Sequence, residues 1–171
     1  MWLLILPSLL LWAFGLVSAL LGTAYALARL AKKATPSSRT DVQYPPISIL
    51  KPLKGLEAGM EESLRTFFQQ DYPDFEIVFC VADTTDPTIR LIIALMREFP
   101  RVATRLHVGE AIAGANPKVC NMIPAYEIAR HDLLLISDSN VRVWPTYLRE
   151  LAACMNEDVG VVTAVVAGRE G

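Results

Sequence analysis

The sequence lacks most of the short motifs that identify nucleotide-binding and metal-binding proteins. Its 171 residues contain no GxGxxG and no GxxxxGK[ST], so the dinucleotide-binding and P-loop classes lose their main support. Its three cysteines, Cys80, Cys120 and Cys154, form no CxxC pair, and its two histidines share no metal-ligand spacing with them. Scattered cysteines in odd number fit reduced, mostly buried thiols in a cytosolic compartment.

Neither sign of charge predominates over the chain as a whole. The formal net charge is −2, from 16 basic and 18 acidic residues. Basic residues cluster only next to an apolar N-terminal run. Without a basic patch on the rest of the chain, nothing indicates nucleic-acid binding.

The first 28 residues contain no charged side chain at all. This length fits a membrane-spanning helix, which needs about 20 apolar residues. The first cations, Arg29, Lys32, Lys33 and Arg39, all follow the apolar run, and this asymmetry predicts that the rest of the chain is cytoplasmic. A cleaved signal peptide is the alternative, because residues 24–28 resemble small-residue cleavage sites. However, the chain has no basic segment before the apolar run, and that run is long for a signal peptide.

The expected organisation is therefore a single-pass N-terminal anchor at residues 1–28 and a juxtamembrane linker at 29–45. One folded domain occupies residues 46–171. Strand patterns cover residues 47–50, 75–82, 102–108, 133–136 and 159–166. Helix patterns begin near Met60, Asp86-Pro87, Asn116-Pro117 and Pro145. The helix that begins at Asn116-Pro117 is expected to bury the side chains of Val119, Met122, Ile123 and Tyr126. This alternation predicts an α/β fold with a doubly wound, mostly parallel sheet.

Polar residues follow several of the predicted strands. Asp83, Asp138 and Lys51 each come after a strand, while Lys118 and Asn121 share a face near a helix start. A helix N-terminus with a lysine favours an anion, and carboxylates facing it suggest a divalent metal joined to a phosphorylated ligand. Each residue also has a purely structural interpretation: both aspartates as turn residues, Asp86 as a helix cap, and Lys118 as a solvated lysine.

Five stretches together carry a family resemblance. They are ISILKPLKGLE (47–57), FFQQDYPDFEIVFCVADTTDP (67–87), GANPKVCNM (114–122), ARHDLLLISDSNVRVWPTYL (129–148) and VGVVTA (159–164). In this order and spacing they resemble the N-terminal half of the ceramide glucosyltransferase family, glycosyltransferase family twenty-one. Bacterial enzymes that glycosylate hopanoid lipids share much of the pattern and are the second resemblance.

The resemblance implies a GT-A (nucleotide-diphospho-sugar transferase), Rossmann-like domain that transfers a hexose from a UDP-sugar to a lipid acceptor such as ceramide. Asp83 matches the first family aspartate, which serves nucleotide binding, and Asp138 matches the second, near a metal-bound diphosphate. Lys118 matches the diphosphate-side lysine. Asn140 occupies the last position of the motif that is DxD in many GT-A enzymes, although an amide oxygen is a weaker metal ligand than a carboxylate. Lys51 and Asn121 are also expected on the donor side. The cofactor that the resemblance implies is Mg²⁺ or Mn²⁺.

One departure from the family pattern concerns catalysis. The family places a third aspartate, its general base, and a QxxRW motif downstream, and this sequence contains no Arg-Trp dipeptide. General-base catalysis needs a group within hydrogen-bond reach of the acceptor hydroxyl, and none is assigned here. We therefore expect a truncated donor-binding half that is inactive as an isolated chain.

Three functional hypotheses follow. The first is a glycosyltransferase by descent, with the donor site present and the chemistry incomplete. The second is a non-catalytic, membrane-anchored module that binds a nucleotide or a partner polypeptide supplying the missing half. The third is an unrelated phosphohydrolase using Asp138 as nucleophile, which predicts a second aspartate two residues on, where Asn140 stands instead.

The charge asymmetry generates a topological prediction. Residues 1–28 should remain attached as one span, with residue 45 onward in the cytoplasm, because the cations flank only the C-terminal side of the run. Protease added to intact spheroplasts should leave the domain uncut, whereas ready digestion from outside would show that the orientation is wrong.

Overall fold

The computed structural model describes residues 12–25, 44–109, 111 and 114–168. The chain divides into two units, Met1–Thr40 and Asp41–Gly171. In the first unit, residues 12–25 are helical (α1) and their side chains are exposed. No helix within the described ranges is both long and apolar enough to cross a membrane. The rest of the predicted anchor, and the predicted linker except for residues 44 and 45, lie outside the described residues.

The second unit alternates strands and helices along the chain. Its elements are β1 (Ile47–Leu53), α2 (Met60–Phe68), β2 (Phe75–Val81), α3 (Thr88–Glu98), β3 (Ala103–Val108), α4 (Pro117–Ile128), β4 (Leu133–Ile136) and α5 (Tyr147–Cys154). Asn116 caps α4, since its side-chain oxygen accepts from the backbone N–H groups of Lys118 and Val119, and Pro117 takes the first helical position. The predicted helix start at Asn116-Pro117 is therefore confirmed.

The four strands form one parallel sheet in the order β3-β2-β1-β4. β1 lies between its two partners, with Leu50 opposite Val78 of β2 and opposite Ile136 of β4. Because parallel neighbours need crossover connections, helices cover the two faces. The predicted α/β class with a parallel sheet is confirmed.

Two apolar clusters separate the faces of the sheet. The larger contains Ile49 of β1 and Phe79 of β2, packed against α2, α3 and α5 through side chains such as Leu64 and Leu148. The smaller joins alternate strand positions, including Leu50 and Val78, to α4. β2 is buried along nearly its whole length, as expected for a strand covered on both faces.

The predicted strand at residues 159–166 is wrong. These residues form no strand, and Val161, Val165 and Val166 are 80%, 97% and 69% exposed. Val161 and Val162 instead line a cavity of about 270 Å³ beside β4 and α5. The valine-rich pattern is typical of a strand that is buried on both faces of a sheet. Within the described residues, no strand pairs with this segment and no helix packs over both of its faces.

The predicted inward face of α4 also needs correction. Met122 packs against the smaller cluster as predicted. The fully buried residues, however, are Cys120, Asn121 and Ala125, and Val119 and Tyr126 are 43% and 62% exposed. The helix is apolar almost all round, so its composition alone did not determine which side would meet the sheet. The short Ala125 packs with Leu50 and Val78 of the strands and allows the helix backbone to approach them, while the thiol of Cys120 contacts the carbonyl of Gly114.

Candidate functional site

The carboxyl ends of the parallel strands create one rim of the sheet. β2 ends at Val81 and β4 ends at Ile136, and both strands pair with β1. Asp83 and Asp138, which follow these two strands, therefore flank the end of β1. Two strand spacings separate the strands that they follow, roughly 10 Å. Ligands of open α/β sheets bind at this rim.

Asp138 lies opposite the first turn of α4. Its carboxylate forms an ion pair with the ammonium of Lys118, and the two side chains are 57% and 50% exposed. A pair this exposed adds little to fold stability. Its importance is chemical, because an acidic and a basic group meet at a helix N-terminus, where the helix dipole favours an anion.

Lys51 does not follow the first strand as predicted, but lies inside β1 and is completely buried. Its ammonium donates to the backbone carbonyl of Asp138 at 2.6 Å and to the hydroxyl of Ser137 at 3.2 Å. It also lies 3.8 Å from the centre of the Phe67 ring. Burial lowers the pKa of Lys51 to about 7, although the nearby charge of Asp138 raises it in part. An enclosed side chain of this kind supports the rim from below.

Asn121 also lies beneath the rim, only 6% exposed. Its amide nitrogen donates to the carbonyl of Cys80 at 3.1 Å and to that of Leu53 at 3.4 Å, so it joins the ends of β2 and β1. Its amide oxygen is buried and has no hydrogen-bond partner in the described part of the chain. The structure thus places Asn121 where it fixes the two strand ends rather than on the exposed surface.

Asp83 forms a local turn at the end of β2. One carboxylate oxygen accepts from the backbone N–H and the hydroxyl of Thr85, at 2.8 and 2.7 Å, and these bonds lower the pKa of Asp83. The side chain is exposed, so it remains accessible to a ligand.

Asp86 does more than the predicted helix cap. One oxygen accepts from the backbone and hydroxyl of Thr88 in α3, and the other accepts from the backbone N–H of Gly55 at 2.7 Å. Gly55 has φ of +67°, a conformation that favours glycine. Partial burial raises the pKa of Asp86, but these hydrogen bonds outweigh burial and hold it below its usual value. The carboxylate therefore joins the loops that follow β1 and β2.

The segment after β4 is attached to α2 by several side chains. Gln70 donates to the carbonyl of Trp144 and accepts from the N–H of Leu148, while Arg142 pairs with Glu62.

Two backbone N–H groups complete this contact. Val143 donates its N–H to the hydroxyl of Thr66, and Asp71 donates its N–H to the carbonyl of Pro145. The QDYP and DSNVRVWP stretches are thus two sides of one contact.

Sequence reasoning missed Ser137, Gln70 and Arg142 as supports of this site. Gln70 is 8% and Ser137 is 7% exposed. The available signal was a polar residue beside an apolar run at each position. Their partners, however, lie 74 to 86 residues away in sequence, beyond the reach of any local pattern.

A metal would find an incomplete set of protein ligands at this rim. Among the described residues, no three His, Cys, Asp or Glu side chains converge as a metal-binding group. Asp138 offers one carboxylate, and Asn140, which is exposed in the following turn, offers one amide oxygen. Mg²⁺ commonly takes one or two carboxylates together with substrate phosphates and water. The residues therefore fit a cation that arrives with a diphosphate, not an independent metal centre.

Comparisons with known proteins show the family of the chain. The model of glycosyl transferase family 21 matches residues 14–171. Ceramide glucosyltransferase 1 of Caenorhabditis elegans is 35% identical over 144 residues, which is 82% of this chain and 30% of that protein. Ceramide glucosyltransferase of Komagataella phaffii is 37% identical over 131 residues, 72% of this chain and 26% of that protein. The chain thus spans less than a third of the length of these two relatives.

Solved structures give the fold. A mannosyltransferase from Pyrobaculum calidifontis, in complex with GDP-Man and Mn²⁺, superposes with a TM-score of 0.64 at 20% identity, over 84% of this chain and 42% of that one. TarS of S. aureus, in complex with UDP, superposes with a TM-score of 0.51 at 25% identity, over 63% of this chain and 31% of that one. The sheet is therefore of the GT-A glycosyltransferase type.

Asp86→Asn should destabilise the domain by about 1–3 kcal/mol at neutral pH, because an amide NH₂ would face the N–H of Gly55 or the donors of Thr88. Since folding lowers the pKa of Asp86, its contribution exists above the ordinary carboxyl pKa and is lost as pH falls through the folded-state pKa. The stability gap between wild type and variant should therefore narrow as pH falls below about 4. Urea unfolding measured across this range tests both statements.

Asp83→Asn is the matched control. The exposed Asp83 can keep its turn with an amide oxygen, so its stability change should stay within about 0.5 kcal/mol. Equal destabilisation by the two variants, or a gap that is constant with pH, would contradict the bridging role of Asp86.

Proposed function

The chain belongs to glycosyl transferase family 21, and we propose that it forms the donor-binding half of a hexosyltransferase acting on a UDP-sugar and a lipid hydroxyl. Two curated relatives are named ceramide glucosyltransferases, which supports a sphingolipid-type acceptor. A structural neighbour at 25% identity was solved with UDP, which supports the donor class.

The observation that carries this proposal is the pairing of Asp138 with Lys118 at the rim. A carboxylate after β4 and a lysine in the first turn of α4 stand together at the ends of the strands. A diphosphate needs a cation next to its oxygens and a metal that is held by a carboxylate. Lys118 can supply the first, and Asp138 can hold the second. The same pair of residues can meet both needs.

Each residue then has a distinct task. Lys118 binds diphosphate oxygens, and the positive end of the α4 dipole favours the same negative charge. Asp138 and Asn140 hold a divalent metal, Mg²⁺ or Mn²⁺, which when bound neutralises charge on the UDP leaving group. Asp83, on the far side of β1, binds the nucleoside end. The mannosyltransferase from Pyrobaculum calidifontis, which was solved with Mn²⁺, supports this metal dependence.

The acceptor half of the reaction needs groups that the described residues do not supply. No general base is assigned among them, and the chain spans 30% of its Caenorhabditis relative. We propose that acceptor binding and deprotonation depend on a polypeptide corresponding to the remainder of those relatives. The apolar N-terminal run followed by cations supports a membrane anchor with this site on the cytoplasmic side.

Asp138→Asn should remove most of the metal dependence of UDP binding. UDP should bind the wild type more tightly with Mn²⁺ than with chelator, because Asp138 would hold a metal that neutralises charge on the diphosphate. Loss of a charged partner typically costs about 1.5–3 kcal/mol, roughly tenfold to a hundredfold in affinity. Calorimetry of the detergent-solubilised chain, with and without Mn²⁺, measures both affinities.

Two further variants make this test specific. Asp83→Asn should weaken UDP to a similar extent with and without metal, whereas Asp132→Asn, an exposed aspartate just before β4 at the opposite end of the sheet, should change neither affinity. If the wild type binds no UDP, or if all three variants bind it alike, both aspartates at the rim are turn residues only.

Lys118→Met should move two affinities in opposite directions. UDP should bind roughly tenfold more weakly, because the diphosphate loses a charged donor. Mn²⁺ alone, which the wild type should bind only weakly, should bind up to about fivefold more tightly to the variant, because Asp138 is released from an exposed ion pair worth at most about 1 kcal/mol. Free Mn²⁺ measured by electron paramagnetic resonance, beside UDP calorimetry, separates the two effects.

Arg101→Met, which removes an exposed cation just before β3 at the opposite end of the sheet, is the control and should alter neither affinity. A loss of both affinities in Lys118→Met would instead indicate that the ion pair only holds the loop in place.

A further inference from the structure

Lys51 is a buried cation whose position the proposed donor site does not explain. It is 0% exposed, lies in the central strand, and faces the larger apolar cluster with Ile49 and Leu53. Transfer of an ammonium out of water is strongly unfavourable unless its partners are well placed. Because the side chain is enclosed, it cannot touch a ligand that binds on the rim.

The three N–H groups of this ammonium have three partners. They are the carbonyl of Asp138 at 2.6 Å, the hydroxyl of Ser137 at 3.2 Å and the face of the Phe67 ring at 3.8 Å. Two of the three belong to the residues that follow β4. Lys51 is thus directed at the segment that presents the Asp138 carboxylate.

Backbone pairing stops where these contacts begin. The last paired residues of β1 and β4 are Leu50 and Ile136, and one more bond runs from the N–H of Ser137 to the carbonyl of Leu50. Beyond that point the chain leaves the sheet, and the carbonyl of Asp138 accepts from the ammonium of Lys51. The side chain of Lys51 therefore extends the β1–β4 connection by one residue after the strand has ended.

We propose that Lys51 is a positioning residue that fixes the backbone at Asp138 and thereby holds its carboxylate in place for the metal and diphosphate of the donor. This inference rests on the proposed donor site, and it assigns Lys51 a role beneath that site instead of the direct donor contact expected from the sequence. Two effects of the lysine oppose each other here. Its positive charge alone would repel a metal, whereas its hydrogen bond orders the carboxylate that binds the metal.

Lys51→Met in the full chain tests this role, because methionine replaces the ammonium with an apolar group of similar length. Burial of the charge is unfavourable, so the melting temperature should be unchanged or higher. Amide hydrogen exchange at Ser137, whose N–H donates to the carbonyl of Leu50 beside these contacts, should nevertheless become at least tenfold faster. UDP affinity in Mn²⁺ should fall at least tenfold, while UDP affinity in chelator should change less than twofold.

Arg101→Met is the control, because this exposed cation lies just before β3, at the opposite end of the sheet from the rim. It should leave exchange at Ser137 and both UDP affinities as in the wild type. Unchanged exchange in Lys51→Met, or tighter Mn²⁺-dependent binding of UDP, would overturn the positioning role, the latter because only the charge would then matter.

The two proposals fail in distinguishable ways. If the wild type binds no UDP, the donor site is refuted, while faster exchange in Lys51→Met would still support the attachment of the Asp138 backbone. If the wild type binds UDP with metal and Lys51→Met binds it equally well, the donor site stands and the role of Lys51 is refuted.

Discussion

The central position of β1 determines where each polar group of the site can lie. Since β1 pairs with β2 on one side and β4 on the other, the loops after those two strands must flank its end. Asp83 and Asp138 are thereby brought to one rim although 55 positions separate them in the sequence. β1 is also the strand that supplies the buried ammonium beneath Asp138.

Support for this rim comes from side chains that replace missing backbone bonds. Asn121 joins the ends of β1 and β2, Asp86 joins the loops that follow them, and Lys51 joins β1 to the residues after β4. Gln70 continues the same pattern further along, toward α5. Buried polar groups with satisfied partners specify one arrangement, because leaving any one of them unpaired is costly. The rim is therefore held from below, while Asp83, Lys118 and Asp138 stay accessible above.

Local patterns predicted the strands at 47–50, 75–82 and 133–136 and the helix start at Asn116-Pro117, because apolar runs and caps are properties of neighbouring residues. They failed where a distant partner decides the outcome. Lys51 was predicted to follow the first strand because a lysine is rarely buried. The acceptors that make its burial possible lie 86 and 87 residues later, where no local pattern shows them. The valines of 159–166 indicated a strand, but a strand also needs a neighbour and cover, which the sequence pattern cannot show. The exposed face of α4 was misassigned because apolar residues lie on several of its sides.

The most direct test of the donor site is to locate Mn²⁺ on the chain in the presence of UDP, by paramagnetic broadening of amide resonances. We expect strong broadening at residues 136–140 and at the start of α4, with little at Asp132 and Asp74, which lie at the opposite end of the sheet. We also expect chelation of Mn²⁺ or omission of UDP to restore most of the lost intensity. Broadening centred at the opposite end of the sheet, or equal broadening without UDP, would contradict a metal–diphosphate site at Asp138.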